Sequence, residues 1–347
     1  MELRPTRQID ELSDAERTDI ARLLDDRGVT TNRSLLAEIV ATGLNLAGDG
    51  GDELDLKIIS AALAEMREAF AMFRPYRHLP KVTVFGSARV AAHDALYAQA
   101  QQAASQLADD GWMVITGAGP GLMQAATEGA GVDRSIGVTI RLPWESGANS
   151  VIAGDSKLVS MKYFFTRKLM LIKESNAFVC LPGGFGTLDE TFELLTLTQT
   201  GKGAPVPIVF LDTPGSTYWS NWAQVIRDEL VGRGFINADD LDLFLVTDDV
   251  STAVDEICRF TSNFDSLRWV GDRLILRVKR LPDSAQLELL NTEFAHLCVR
   301  GVIEPTGPTR AERSDADKLD LPRLALVLDP RKAAGLRQLI DRLNALD

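Results

Sequence analysis

Three cysteines and three histidines among 347 residues leave little room for metal or redox chemistry. Cys180, Cys258 and Cys298 are widely spaced, odd in number and show no C-x-x-C pair. They read as reduced core thiols of a cytosolic chain, not as zinc ligands or a disulfide framework. His78, His93 and His296 are scattered without ligand spacing, so no metal is expected. No stretch reaches the ~18 apolar residues of a membrane span, and the opening Met-Glu-Leu-Arg-Pro lacks an apolar signal run. Cytoplasmic residence without a membrane partner is the expectation. Positive charge is also scarce: 37 Lys and Arg stand against 49 Asp and Glu, a net charge of −12. That balance argues against a nucleic-acid partner, whose phosphate backbone needs a basic face. A local positive pocket for a single nucleotide is compatible with it.

What is present belongs to an ordinary globular protein. With 45% hydrophobic and 25% charged residues the chain can bury a sizeable core, and its length favours one large domain with smaller additions. Residues 1–79 read as an N-terminal helical extension. Ser13-Asp-Ala-Glu16 is a capping box opening a helix with Ile20, Leu23 and Leu24 on one face; a second helix runs from about Asn32 to Leu46. After Gly48-Asp-Gly-Gly51, Asp52 can cap a third that ends before Pro75. No chemistry is evident in this region.

From Lys81 the rhythm becomes alternating strands and helices, the pattern of a doubly wound parallel sheet. Residues 80–262 are therefore expected to form a Rossmann-like α/β domain. Val82 to Phe85 is a strand followed by Gly86-Ser-Ala-Arg89; Trp112 to Thr116 is the next, emptying into Gly117-Ala-Gly-Pro-Gly121. Gly86, Ser87, Gly119 and Gly121 thus fall at the carboxyl ends of neighbouring strands, where such sheets bind ligands. The third loop is the most informative. Phe178 to Leu181 reads as a buried strand, and Pro182-Gly-Gly-Phe-Gly-Thr-Leu-Asp-Glu190 as a glycine turn opening a helix. Gly183, Gly184 and Gly186 let backbone amides converge on an anion, and Thr187 falls at the expected N-cap. A plainer reading also stands: Thr187 and Glu190 form a T-x-x-E capping box and need do no more than start a helix. The spacing matches neither the Walker pattern nor the G-x-G-x-x-G dinucleotide fingerprint. Nor is an acidic residue clearly placed for a dinucleotide ribose, which weakens a hydride-transfer reading.

The run Pro182–Glu190 resembles the P-G-G-x-G-T-x-x-E signature of the Lonely guy (LOG) family. Upstream lies Arg167-Lys168 within Tyr163-Phe-Phe-Thr-Arg-Lys-Leu-Met170, and seven residues separate that pair from Asn176, as in the family. The resemblance covers about residues 80–262. It implies a phosphoribohydrolase that cleaves the N-glycosidic bond of a purine nucleoside 5′-monophosphate, giving free base and ribose 5-phosphate without a cofactor. It implies Arg167 and Glu190 as catalytic residues, and Lys168, the glycines and Thr187 around the substrate. It also implies a homodimer or larger homo-oligomer, with Arg167 near a subunit boundary. Phe165 stands where plant-type members carry His, and Leu171 where they carry Met, which leaves the preferred base open between adenine and a cytokinin. Family members have often been labelled lysine decarboxylases; Lys168 is the one lysine in the signature pair, and nothing else supports a pyridoxal cofactor.

Breaking a ribosyl bond builds positive charge on the sugar, which a carboxylate can stabilise while it orients or deprotonates water. Glu190 is the stronger candidate. Glu193, one helical turn on, can assist it or pair with a nearby cation. Lys157, Lys162 and Lys173 read as a solvated helix face. The alternative function is a nucleotide-binding sensor or carrier that does no chemistry. Residues 263–347 look like a small α+β domain in the order β-β-α-β-α: a hairpin about Gly271-Asp272, a helix from Pro282 to Val299, a polar loop 307–320, a strand Leu324 to Leu328 and a terminal helix.

Overall fold

In the computed structural model, which describes residues 8–141 and 147–346, the apolar runs after Lys81 become seven parallel strands. They are β1 (Lys81–Phe85), β2 (Met113–Thr116), β3 (Ser135–Ile140), β4 (Leu158–Met161), β5 (Ala177–Cys180), β6 (Ile208–Leu211) and β7 (Leu245–Thr247). Every residue of β1, β2, β5 and β6 is buried, which is why these segments lack polar alternation. A parallel sheet is covered on both faces, so neither set of side chains meets water.

The spatial order is β4-β3-β2-β1-β5-β6-β7. The chain winds outward from β1 to β4, then returns to place β5 on the other side of β1, with Val82 opposite Ala177 and Phe85 opposite Cys180. The direction of winding therefore reverses between β1 and β5. In such sheets the reversal splays the following loops apart and opens a crevice at the strand ends. On one face Val82, Val84, Val114, Val179 and Val209 pack against helices Ala95–Asp109, Leu122–Ala130 and Val250–Phe260. On the other, the Thr83 hydroxyl donates to Leu171 O (3.0 Å) of helix Phe164–Lys173, and Phe210 stacks on Trp219 (4.3 Å) of helix Tyr218–Val225.

The sheet lies in a compact unit, Glu68–Asp347, which also holds a four-stranded antiparallel sheet in the order β10-β11-β9-β8. Its strands are β8 (Phe264–Val270), β9 (Arg273–Val278), β10 (Cys298–Thr306) and β11 (Arg323–Leu328). Two expectations need correction here. The helix after Pro282 ends at Phe294, and Cys298–Thr306 is an added edge strand with register shifts. Most of its residues are exposed, so it carries too few apolar residues to show as a strand. The segment 307–320 holds a short helix, Arg310–Asp315, with its own Thr309–Glu312 capping box. Glu312 is buried there between Arg277 (2.8 Å) and Arg323 (3.1 Å), a pairing between distant segments that no local pattern announces.

In the other compact unit, Met1–Arg67, the described residues are largely helical. Ser13 and Glu16 form the expected capping box over helix Asp14–Asp26, and Asp52 Oδ1 accepts from the amides of Leu54 (2.8 Å) and Asp55 (2.9 Å). Its core is Leu12, Ile20, Leu24, Ala37 and Ala41. Leu23, expected on the same face, is exposed, because it lies about 100° around the helix from Leu24. Among the described residues no helix is long and apolar enough to cross a membrane.

Gly121 locks two of the strand-end loops together. Leu122 donates to Ser87 O (3.0 Å), and a Cβ on Gly121 would lie 2.4 Å from Ser87 O at a φ of +67°. Gly121→Ala should therefore destabilise the fold by about 2–5 kcal/mol in urea denaturation. A loss below about 0.5 kcal/mol would show that the loops are not held at this separation.

Candidate functional site

The crevice at the β1/β5 reversal has a volume of about 650 Å³. Five segments build it: the loop after β1, the start of the helix after β2, helix Phe164–Lys173, the turn after β5 and the helix after β6. Ser87 donates its amide to Pro182 O (3.2 Å), which ties the first of these to the glycine turn.

The glycine turn leads directly into helix Phe185–Gln199, whose first helical bond runs from Leu188 N to Gly184 O (3.1 Å). The amides of Phe185, Gly186 and Thr187 thus have no intrahelical acceptor, and the helix end adds a partial positive charge. This corrects the expected cap. Gly184, not Thr187, holds the N-cap position, and no Thr187–Glu190 capping box forms. Thr187 is buried one turn in and packs on Gly183, where a Cβ would lie 2.2 Å from the Thr187 hydroxyl. Starting the helix three residues early leaves the turn's amides available and moves the threonine from capping to packing.

Glu190 lies one turn further along, with only 14% of its side chain exposed. Arg167 reaches it from helix Phe164–Lys173, Nη1 to Oε1 3.8 Å, while the Arg167 Nε–H donates to Val138 O (3.0 Å) of β3. To do so the guanidinium crosses the end of β2 above Gly117, where a Cβ would lie 2.0 Å from Nη2. Burial pushes the Glu190 carboxyl up, to about 7, against the downward pull of Arg167. Asp189 and Glu193 push the same way as burial, and Lys168 opposes them. A carboxyl titrating near neutrality is suited to exchanging a proton with water.

Lys168, adjacent to Arg167 in sequence, faces other partners. Its ammonium binds Glu193 (2.7 Å) and Asp189 (3.0 Å). Burial alone would lower its pKa, but these two carboxylates raise it. A lysine held as ammonium is in the wrong state to form an imine, which weakens the decarboxylase reading. Glu193 is thereby committed to Lys168 and not to Glu190.

Of the residues singled out from sequence, Gly86, Ser87, Arg167, Gly183, Gly184, Gly186, Thr187 and Glu190 line the crevice together. Gly119, Gly121, Lys168 and Glu193 lie outside its lining. Gly121 serves the loop contact described above, and Gly119 O accepts from Asn149 Nδ2 (3.2 Å). Lys157 is buried against Asp155 (2.7 Å) and not on a solvated face. Sequence reasoning missed Arg89, Met123, Tyr218 and Trp222, which also line the crevice. Tyr218 donates its hydroxyl to Gly183 O (2.7 Å), and its ring meets Trp219 edge-on at 4.9 Å. Trp219 in turn stacks on Phe210 of β6, so an aromatic chain anchors the turn. The available signal was topological: Tyr218 opens the helix after β6, another strand ending at the same edge. Cys180, at the end of β5, is fully buried and pushed up to about 12 by burial, which keeps it out of thiolate chemistry. Among the described residues no group of three or more His, Cys, Asp or Glu is placed to hold a metal ion.

The chain is similar to several known proteins. A family model described as "possible lysine decarboxylase" matches residues 121–257. A probable cytokinin riboside 5′-monophosphate phosphoribohydrolase from Oryza sativa subsp. japonica is 32% identical over 96 residues, 27% of this chain and 39% of that protein. A second such protein from the same plant is 28% identical over 177 residues, 49% of this chain and 75% of that one. The chain therefore spans well under two thirds of the first relative's length. Among solved structures, the molybdenum cofactor carrier protein from Chlamydomonas reinhardtii is 22% identical with a TM-score of 0.38, covering 52% of this chain and 98% of that one. In the glycine signature, in the Arg167-Lys168 pair at its family spacing and in these relatives, the chain resembles the Lonely guy (LOG) family.

Proposed function

We propose that the protein hydrolyses the N-glycosidic bond of purine nucleoside 5′-monophosphates, releasing the base and ribose 5-phosphate. The observation that carries this reading is the Arg167–Glu190 pair, 3.8 Å apart and one helical turn from an unpaired amide cluster in the same crevice. The amides of Phe185, Gly186 and Thr187 hold the 5′-phosphate, which positions the sugar. As the bond from C1′ to the base nitrogen stretches, positive charge builds on the ribose ring, and ionised Glu190 stabilises it. Water then attacks C1′ and gives a proton to Glu190, while the base leaves with the bonding pair and takes up a proton. Arg167 orients Glu190 and keeps its carboxyl lower than burial alone would set it. A pure binder has no use for a carboxylate beside a phosphate, where like charges repel; that favours an enzyme over a sensor or carrier.

The first test is incubation of the purified protein with a panel of nucleoside monophosphates, including AMP and isopentenyl-AMP, and identification of any released base. Glu190→Gln is expected to lower kcat by about 10²–10⁴ with KM little changed. A variant that keeps wild-type turnover would remove Glu190 from the mechanism, and wild-type protein that binds nucleotides without releasing base would identify a carrier. The pH profile provides a separate check. Because the base must be ionised, kcat/KM should rise with pH through about 7 and level off above it. Arg167→Ala, besides slowing turnover, should move that limb to higher pH, since the guanidinium is what pulls the Glu190 carboxyl down. A limb that stays in place or moves lower would contradict the pairing.

A further inference from the structure

Among the described residues, three charged side chains line the crevice: Arg89, Arg167 and Glu190. Arg167 is committed to Glu190 and to Val138 O. Lys168 is held by two carboxylates outside the lining. Arg89 differs from both. It is exposed at the rim, and among the described residues its side chain makes no hydrogen bond or ion pair. Its backbone amide donates to Ser87 Oγ (3.1 Å), forming a local turn, and Ser87 in turn is bonded to Pro182 ahead of the glycine turn. Arg89 and the unpaired amides of Phe185, Gly186 and Thr187 thus border one opening from two loops held side by side.

Charge balance shows what that placement lacks. A phosphate monoester carries about two negative charges near pH 7, and a helix end supplies only about half a positive charge. Glu190, when ionised, adds negative charge to the same crevice, and Arg167 is already spent on it. A substrate phosphate at the turn is therefore undercompensated unless another cation reaches it. A guanidinium with its donors unengaged is the group best matched to phosphate oxygens.

We infer that Arg89 is a specificity-determining residue of this site, closing on the 5′-phosphate from the loop beside the amide turn and so separating nucleotides from nucleosides. The inference rests on the proposed hydrolase reading for its substrate, but not for its test.

Arg89→Gln and Arg89→Lys would be compared with wild type for base release from AMP and from adenosine, and for binding of both by titration calorimetry. Loss of one charge-assisted contact should lower kcat/KM on AMP by about tenfold to a hundredfold, mainly through KM, and leave adenosine unchanged. Arg89→Lys should recover part of the loss, and added salt should weaken AMP binding more in wild type than in Arg89→Gln. Equal losses on AMP and adenosine, or no change on AMP, would overturn the inference. If wild type binds AMP but releases no base, the hydrolase reading fails and affinity alone decides. A preference for AMP over adenosine that Arg89→Gln erases then supports the inference; a preference retained by the variant, or absent from wild type, overturns it.

Discussion

A carboxylate kept largely out of water, with one guanidinium 3.8 Å away, is the interaction on which the site depends. Two opposing effects act on Glu190. Burial disfavours its charge, while Arg167 and Lys168 favour it. At about 4 Å and an effective dielectric near 20, a single opposite charge contributes on the order of 4 kcal/mol before desolvation is counted. Burial, with Asp189 and Glu193 nearby, still wins, since the carboxyl ends near 7 and not below its ordinary value. Arg167 is thus strong enough to keep Glu190 usable and too weak to hold it permanently ionised.

That compromise requires the neighbouring charges to be dealt with separately. Arg167 and Lys168 are adjacent on one helix and so point about 100° apart, which lets each take its own partners. Lys168 gathers Asp189 and Glu193, both on the helix that carries Glu190. Without it, the upward push of Asp189 and Glu193 on the Glu190 carboxyl would lose the opposing pull of Lys168. The lysine of the signature pair therefore supports the site electrostatically from outside the crevice, and the arginine works inside it.

The backbone imposes matching constraints. Tyr218 holds the Gly183 carbonyl, Thr187 packs beneath the turn, and Gly121 lets the loops after β1 and β2 touch. Each comes from a different connection of the parallel sheet. The amides at the helix start are consequently fixed in place by packing across several strands, and not by the glycine turn itself, whose residues have the fewest local restraints.

Much of this was legible in advance. The alternation after Lys81, the unbroken apolar strands and the glycine loops at their ends predict a doubly wound sheet because burial on both faces writes itself directly into residue type. Arg167 and Glu190 were legible because their spacing to the glycine turn is a local property of the chain. The cap at Gly184, the burial of Glu312 between two arginines and the edge strand Cys298–Thr306 were not, since each depends on what a distant segment brings alongside. Sequence by itself determined the sheet, the turn and the positions of Arg167 and Glu190 beside it, all of them short-range patterns along the chain. Only the tertiary structure decided which charges face one another: that Lys168 takes Glu193 away from Glu190, and that Tyr218 reaches Gly183. Such pairings are settled by the packing of segments far apart in the chain, and a one-dimensional pattern carries no measure of that distance.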